Sequence, residues 1–396
     1  MTLFLVILFF LSAGLIFHSY VLYPLILQWM NGRKQGNNNV YSQDDLPELL
    51  ICMSVFNEQK VIQQKLESIV NTSYPLAKLK VWIGSDNSTD QTNEIIQAYA
   101  LKYSFIKLFA FTNRNGKSGV LNKLHKQLQT EYSPAALKKL VLVLTDANVF
   151  FEQETLFELA KHFKNPLVAQ VGANILNSGL REDGISIQEQ SYIQRENYIK
   201  HLEGLSGTMQ GAFGACYALR ASYFPEIPAN FLMEDFYISM HVLEAKQQAV
   251  FESKAIGRED VSNEVAEEFK RKTRISAGNF QNLRVYWPLL LRFDFNAFCF
   301  LSHKVLRWIT PLLMLFCLLS SLLLLRFTLF KIFVLLQLLL FSTPFIDLLM
   351  KRLDVHSKSI RLMSYFVMMN VALVNGLKMY LSGVKTNAWT PTKRNV

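Results

Sequence analysis

Two acidic positions stand out as sites where chemistry could occur. Asp146 follows the apolar run at residues 140–144 (LVLVL), and Glu234 and Asp235 close the stretch FLMED at residues 231–235. An apolar run bounded by polar residues reads as a buried strand. Asp146 therefore falls at a strand's C-terminal end, the crevice where open α/β sheets bind ligands. Adjacent carboxylates suit proton transfer: like-charge proximity raises a pKa and makes one acid a competent general base. Other polar groups stand at similar junctions, Asn57-Glu58 after residues 49–55 and Asp86 after residues 79–83. Lys117 in NRNGKSGVLN and the basic run 270–274 are cations suited to an anionic group. Each has a plainer reading. Asp146, or Asn57 with Glu58, would cap a helix; Glu234-Asp235 would open one; Lys117 would be solvated; the basic run would lie on anionic lipid.

Several chemistries are excluded by missing motifs. No G-x-G-x-x-G follows the first strand, and NGKSG lacks the upstream glycine spacing of a phosphate-binding loop. Neither G-x-S-x-G nor H-E-x-x-H occurs, and the seven histidines are scattered. Cys52, Cys216, Cys299 and Cys317 are far apart and read as small hydrophobes in a reducing setting.

The elements that must position these groups alternate. Apolar runs at residues 49–55, 79–83, 105–111, 140–144 and 168–176, with a short one at 249–251, are separated by helical patterns, as in a mostly parallel sheet covered on both faces. Residues 207–217 (GTMQGAFGACY) carry three glycines, which permit a close backbone approach or an unusual turn. Residues 185–202 read as a polar helix bearing Tyr192, Arg195, Glu196 and Tyr198, and residues 37–45 as a polar tether.

Of the 396 residues 51% are apolar and only 18% charged, with mean hydropathy +0.16, and the apolar excess sits at the two ends. Residues 2–30 contain no Asp, Glu, Lys or Arg, and Arg33 and Lys34 follow them. A signal peptide has its basic residues first, so this run is expected to be a retained transmembrane helix. Residues 284–301 suit an interfacial amphipathic helix. Three further spans are expected within residues 302–382, at 308–325, 332–350 and 362–381. Lys351, Arg352, Lys358 and Arg361 share one loop, placing it on the side of Arg33 and Lys34. The expected layout is multi-pass in the inner (plasma) membrane, both termini outside and the domain at 47–283 cytosolic. The net charge of +10 then reflects membrane flanks, and nucleic acid is not an expected partner.

The ordered clusters SVFNE (54–58), SDNSTD (85–90), NRNGKSGVLN (113–122), DAN (146–148), ED (234–235) and RKTRI (271–275) resemble those of membrane-integrated family-2 glycosyltransferases. That group includes the cellulose, chitin, hyaluronan and poly-N-acetylglucosamine synthases and many bacterial exopolysaccharide enzymes. The resemblance covers roughly residues 47–283. It implies an α/β GT-A (Rossmann-like) nucleotide-sugar transferase domain, a UDP-sugar as leading donor, a divalent cation (Mg2+ or Mn2+) and inversion in one displacement. It also implies roles for residues. Glu58 and Asp86 would hold the nucleoside, Lys117 and Asn122 would sit near the diphosphate, and Asp146 and Asn148 would stand where the family has its metal-binding D-x-D. Asp235 would be the base with Glu234 orienting it, and Lys272 and Arg274 would face the pyrophosphate. Asn87 stands where glycine is usual, Asn148 replaces an acid, and Ile275 replaces the tryptophan that meets the acceptor sugar in processive synthases. The expected acceptor is a growing polysaccharide or a lipid-linked saccharide. Four spans are few for a secretion channel, so partner subunits of a polysaccharide secretion system or a homo-oligomer would complete it. The competing expectation is a non-catalytic sugar-nucleotide-binding scaffold.

Overall fold

The computed structural model describes residues 1–179, 186–260, 264–353, 355, 357–384 and 386. They divide mainly into two compact units, residues 31–263 and residues 1–30 with 264–383.

In the first unit the apolar runs become β1 (Leu49–Val55), β2 (Leu79–Asp86), β3 (Ile106–Phe111), β4 (Val141–Thr145), β5 (Val149–Phe151), β6 (Val168–Ser178), β7 (Cys216–Arg220) and β8 (Gln248–Asp260). They form one sheet in the order β3-β2-β1-β4-β7-β6-β8-β5. The first four are parallel neighbours, joined through helices such as Ile62–Val70, Thr92–Lys102 and Gly116–Glu131. Beyond β4 the sheet is mixed: β7 runs antiparallel to β4 and β6, and β5 antiparallel to β8. This half departs from the expected parallel pattern for local reasons. β7 emerges directly from the glycine-rich run, β5 has three residues, and polar residues along β8 mask all but its start. The core is made by Leu49, Ile51, Met53, Val81, Ile83, Val141 and Val143 of the strands with Ile62, Leu66 and Ile69 of the covering helix, all essentially fully buried. Because β1, β2 and β4 are parallel, the polar residues ending each of them reach one edge of the sheet.

Gly84 lets a helix lie close on β2: a Cβ there would come within 2.3 Å of Val120 Cγ1 on helix Gly116–Glu131. The polar tether at 37–45 and Asn31 before it make defined hydrogen bonds. Asn31 donates to Leu202 O (2.9 Å) and accepts from Ser206 Oγ (2.9 Å). Asn37 donates to His162 O (3.2 Å), and Tyr41 N donates to Lys161 O (2.8 Å).

In the second unit, three helices are long and apolar enough to cross a membrane: Thr2–Asn31, Thr328–Arg352 and Lys358–Leu381. A fourth crossing is formed if the pair Phe295–Trp308 and Thr310–Leu323, bent by 63°, counts as one span. The expected single helix over 284–301 is divided. Helix Val265–Tyr286 runs into a 3-10 turn, Trp287–Arg292, which carries Pro288, and Phe293 at φ 51° breaks the path before Phe295. Helix Val265–Tyr286 packs against Lys358–Leu381 at Gly376, where Ser276 Oγ donates to Leu373 O (3.0 Å).

Gly84→Val is expected to destabilise the globular unit by about 1–3 kcal/mol through overpacking, read as a lower thermal midpoint of the full protein in detergent. Asn87→Gly, at a left-handed position (φ 61°), should leave that midpoint nearly unchanged.

Candidate active site

The loops leaving β1 and β2 are tied into one rim. Asn57 adopts φ 53°, accepts from Thr89 N (2.8 Å) and donates to Thr89 Oγ1 (3.3 Å). Glu58 N donates to Thr92 Oγ1 (2.8 Å), and Asp90 caps the next helix by accepting from Thr92 N (3.1 Å). Thr89 and Asp90 are thus turn and cap groups, and Asn87 takes the left-handed conformation that glycine usually supplies. The Glu58 side chain is buried in this rim.

Asp86 is fully buried, and its two oxygens are filled from one side. Oδ1 accepts from Asn115 N (2.5 Å) and Asn115 Nδ2 (3.3 Å); Oδ2 accepts from Gly116 N (3.0 Å) and Arg114 Nε (3.1 Å). The carboxylate therefore orients the start of helix Gly116–Glu131 and the Arg114 guanidinium, which stacks 3.3 Å from the centre of the Phe56 ring. Contact between Asp86 and a nucleoside would have to share these partners.

The next residue on that helix joins two distant acids. Lys117 Nζ lies 2.7 Å from Asp146 Oδ1 and 2.8 Å from Glu234 Oε1. Burial works against its charge, but the two carboxylates outweigh burial and hold it protonated, above the usual lysine range. Glu234 and Asp235 open helix Glu234–Glu244, and Asp235 Oδ1 accepts from Phe236 N (2.8 Å). Burial, and then the neighbouring charge of Glu234, push the Asp235 carboxyl up to about 6; Lys117 and Lys200 pull the other way.

The glycine-rich run forms the wall beside Asp235. A Cβ on Gly214 would lie 2.7 Å from Asp235 Oδ2, so the backbone closes directly on the carboxylate. Ser239 fixes this approach. Its hydroxyl donates to Asp235 O (2.8 Å) and accepts from Ala212 N (3.1 Å) and Gln170 Nε2 (2.8 Å). Lys200, buried on helix Ser186–Gly204, places its ammonium 3.3 Å from the centre of the Phe213 ring in the same loop.

Four further expected site residues are placed as follows. Asn122 uses its amide on the backbone of Ile227, donating to O (2.8 Å) and accepting from N (3.0 Å), so it anchors a loop. Asn148 donates to Glu259 Oε1 (3.1 Å). Lys272 lies 3.4 Å from Glu268 on helix Val265–Tyr286, in the unit of apolar helices, with Arg271 on the same carboxylate; Arg274, half-buried, follows on that helix.

Among the described residues no group of three His, Cys, Asp or Glu side chains could hold a metal ion. The acids that meet at Lys117, Asp146 and Glu234, offer oxygen donors only. The Asp146 side chain, 34% exposed, gives Oδ1 to Lys117 and leaves Oδ2 to a cation. Such a set fits a hard divalent ion whose other ligands come from phosphate oxygens and water.

Sequence reasoning passed over Arg114, Ser239, Lys200 and Lys65. Arg114 lies inside a quoted motif, and Lys65 interrupts the apolar stripe of Ile62, Leu66 and Ile69, a readable signal. Ser239 and Lys200 carried no such mark.

The chain is similar to several known proteins. Residues 50–227 match Glycosyl transferase family 2. The chain is 31% identical over 123 residues to "Probable glycosyltransferase YdaM" of Bacillus subtilis, 29% of each chain. It is 29% identical over 131 residues to the beta-monoglucosyldiacylglycerol synthase of Nostoc sp., 33% of this chain and 26% of that protein. The chain thus spans less than a third of the length of these relatives. The mannosyltransferase PcManGT from Pyrobaculum calidifontis, solved in complex with GDP-Man and Mn2+, superposes with a TM-score of 0.67 at 17% identity over 94% of this chain and 99% of its own. The fold is GT-A-like, a mixed α/β sheet flanked by N- and C-terminal apolar helices.

If Asp235 accepts a proton during turnover, kcat/KM should fall about tenfold per pH unit below an apparent pKa near 6. Glu234→Gln removes a neighbouring charge that raises the Asp235 pKa, so this acid limb should move to lower pH. A limb that stays in place in the variant would remove Asp235 from this role.

Proposed function

We propose that this family-2 glycosyltransferase moves a sugar from a nucleoside-diphosphate donor to a saccharide or lipid-linked acceptor at the cytosolic face of the membrane, with inversion. The observation that carries the reading is the Lys117 bridge, which brings Asp146 of the strand-end turn and Glu234 of the acid pair within ion-pair distance of one ammonium.

Asp86 fixes the Arg114–Phe56 wall and the helix start, where the nucleoside end would lie. The diphosphate would meet Lys117, whose charge opposes the negative charge that builds on the leaving group. A divalent cation, when bound, would be held by Asp146 with Asn148 nearby, and would neutralise the diphosphate. Asp235 takes the proton from the acceptor hydroxyl as that oxygen bonds to the anomeric carbon and the bond to the diphosphate breaks. Its raised pKa makes it a stronger base than an exposed aspartate while it remains ionised near neutrality. Gly214 lets the backbone lie against the Asp235 carboxylate, and Gly211 lets it lie against the Phe236 ring. Lys272 and Arg274 are read, on family resemblance, as further cations toward the pyrophosphate.

Membrane sidedness is proposed from charge: Arg33 and Lys34 after the first span, and Lys351, Arg352, Lys358 and Arg361 between the last two, mark the cytosolic side. The Mn2+ and GDP-mannose in the PcManGT complex support a divalent ion and an activated sugar as cofactor and donor. Ile275 in place of an aromatic residue argues for limited addition rather than long-chain synthesis. The scaffold reading draws on Asn148, whose amide is engaged with Glu259.

The test is a screen of the full protein in lipid nanodiscs against labelled UDP- and GDP-sugars, with Mn2+ or with EDTA, reading nucleotide release, product size and anomeric configuration. One donor should be turned over with inversion. Asp235→Asn should lower its turnover by about 10²–10⁴-fold while nucleotide binding persists. Full activity in Asp235→Asn, or a retained configuration, would overturn the mechanism. Nucleotide binding without turnover of any donor would favour the scaffold.

A further inference from the structure

Lys65 projects from helix Ile62–Val70 into the core and is fully buried. Its amine donates to Thr145 Oγ1 (3.0 Å) and Val149 O (2.5 Å) and lies 3.4 Å from the centroid of the Phe151 ring. Burial pulls the Lys65 amine down to about 7, with Cys216 and Asp146 pulling the other way. An unbranched apolar side chain would fill the same stripe without the cost of taking an amine out of water, so the amine calls for an explanation beyond packing.

Its partners supply one. Thr145 and Val149 are the two ends of the turn that carries Asp146 and Asn148, closed by Val149 N donating to Asp146 O (3.3 Å). From the same turn, Thr145 Oγ1 and Asp146 N both reach Ala215 O (3.0 Å each). Ala215 follows Gly214, whose backbone lies against the Asp235 carboxylate. One amine thus holds the turn bearing the donor-side acid and, through Ala215, the loop beside the base.

We propose that Lys65 is a positioning residue for the donor diphosphate: it clamps both ends of the 145–149 turn and so sets where Asp146 stands relative to the Asp235 wall. This rests on the reading that Asp146 receives the diphosphate. The nucleoside end, organised by Asp86 and Arg114 on other elements, lies outside the clamp. Lys65 should therefore govern diphosphate recognition and leave nucleoside recognition alone.

The test is calorimetry on the full protein in detergent with Mn2+ present, comparing UDP with UMP and GDP with GMP for Lys65→Met, Thr145→Val and Asp146→Asn. For the base that the wild type binds, Lys65→Met should weaken the diphosphate at least tenfold and keep the monophosphate within twofold. Thr145→Val, which removes one of the two acceptors but keeps the β-branched shape, should show the same selective loss to a smaller degree. It carries the test if Lys65→Met does not fold. Equal affinity of wild type and Lys65→Met for the diphosphate would overturn the proposal, as would parallel loss of both ligands with a falling thermal midpoint. An unaffected Asp146→Asn would instead overturn the underlying donor reading. A selective loss in Asp146→Asn with none in Lys65→Met would remove only the role of Lys65.

Discussion

Between Asp146 and Glu234 stands the ammonium of Lys117, 2.7 Å from one and 2.8 Å from the other. Two carboxylates in a partly buried crevice repel, and each loses hydration on entering it; a shared cation offsets both costs. The bridge joins the end of a parallel strand to the first turn of a helix far along the chain. It also shapes the field at Asp235, where burial and Glu234 raise the proton affinity while Lys117 and Lys200 hold it down. The outcome is a carboxyl near 6, ionised at neutral pH and still basic enough to take a proton.

That bridge depends on a frame in which the side chains of Asp86, Asn57 and Ser239 already have protein partners. Asp86 is filled by the helix start and Arg114, Asn57 by Thr89, and Ser239 by Ala212, Gln170 and the carbonyl of Asp235. Such networks hold side chains without mobile loops, and they cost little once every donor has its acceptor. Lys65 belongs to this frame and differs in bringing a buried amine into it. Glycine does the complementary work at Gly214, where the backbone must pass closer to Asp235 than a side chain would allow.

The second unit follows a different logic, with apolar helices that need no water-exposed partner. Phe9 stacks on Phe333 at 4.7 Å between centroids and meets Phe330 edge-on at 5.3 Å, and around them the helices bury a small cluster with Leu5, Cys317 and Leu324. Helix Val265–Tyr286, with Lys272 and Arg274, is drawn against a candidate span at Gly376, while Glu268 accepts both Arg271 and Lys272. Basic residues carried on such a helix are suited to anionic groups near a bilayer surface.

The apolar runs and their terminal acids were legible in the sequence because burial and strand-end chemistry are local: β1, β2 and β4 and the groups Asn57, Asp86 and Asp146 follow from them. The charge-free ends and the left-handed turn at Asn87 could be read in the same way, since each depends on a residue's own properties. Pairing was not legible. Asn122 was expected near a diphosphate and Asn148 at a metal motif, and the fold gives their amides Ile227 and Glu259 as partners. β7 lay hidden behind glycines, and Ser239 looked like any helical serine. Lys65 looked like a flaw in an apolar stripe until the fold placed Thr145 and Val149 around it. Residue type and spacing determine what a group is able to do, whereas hydrogen bonds between distant segments decide which partner receives it, and only the packed tertiary structure specifies those.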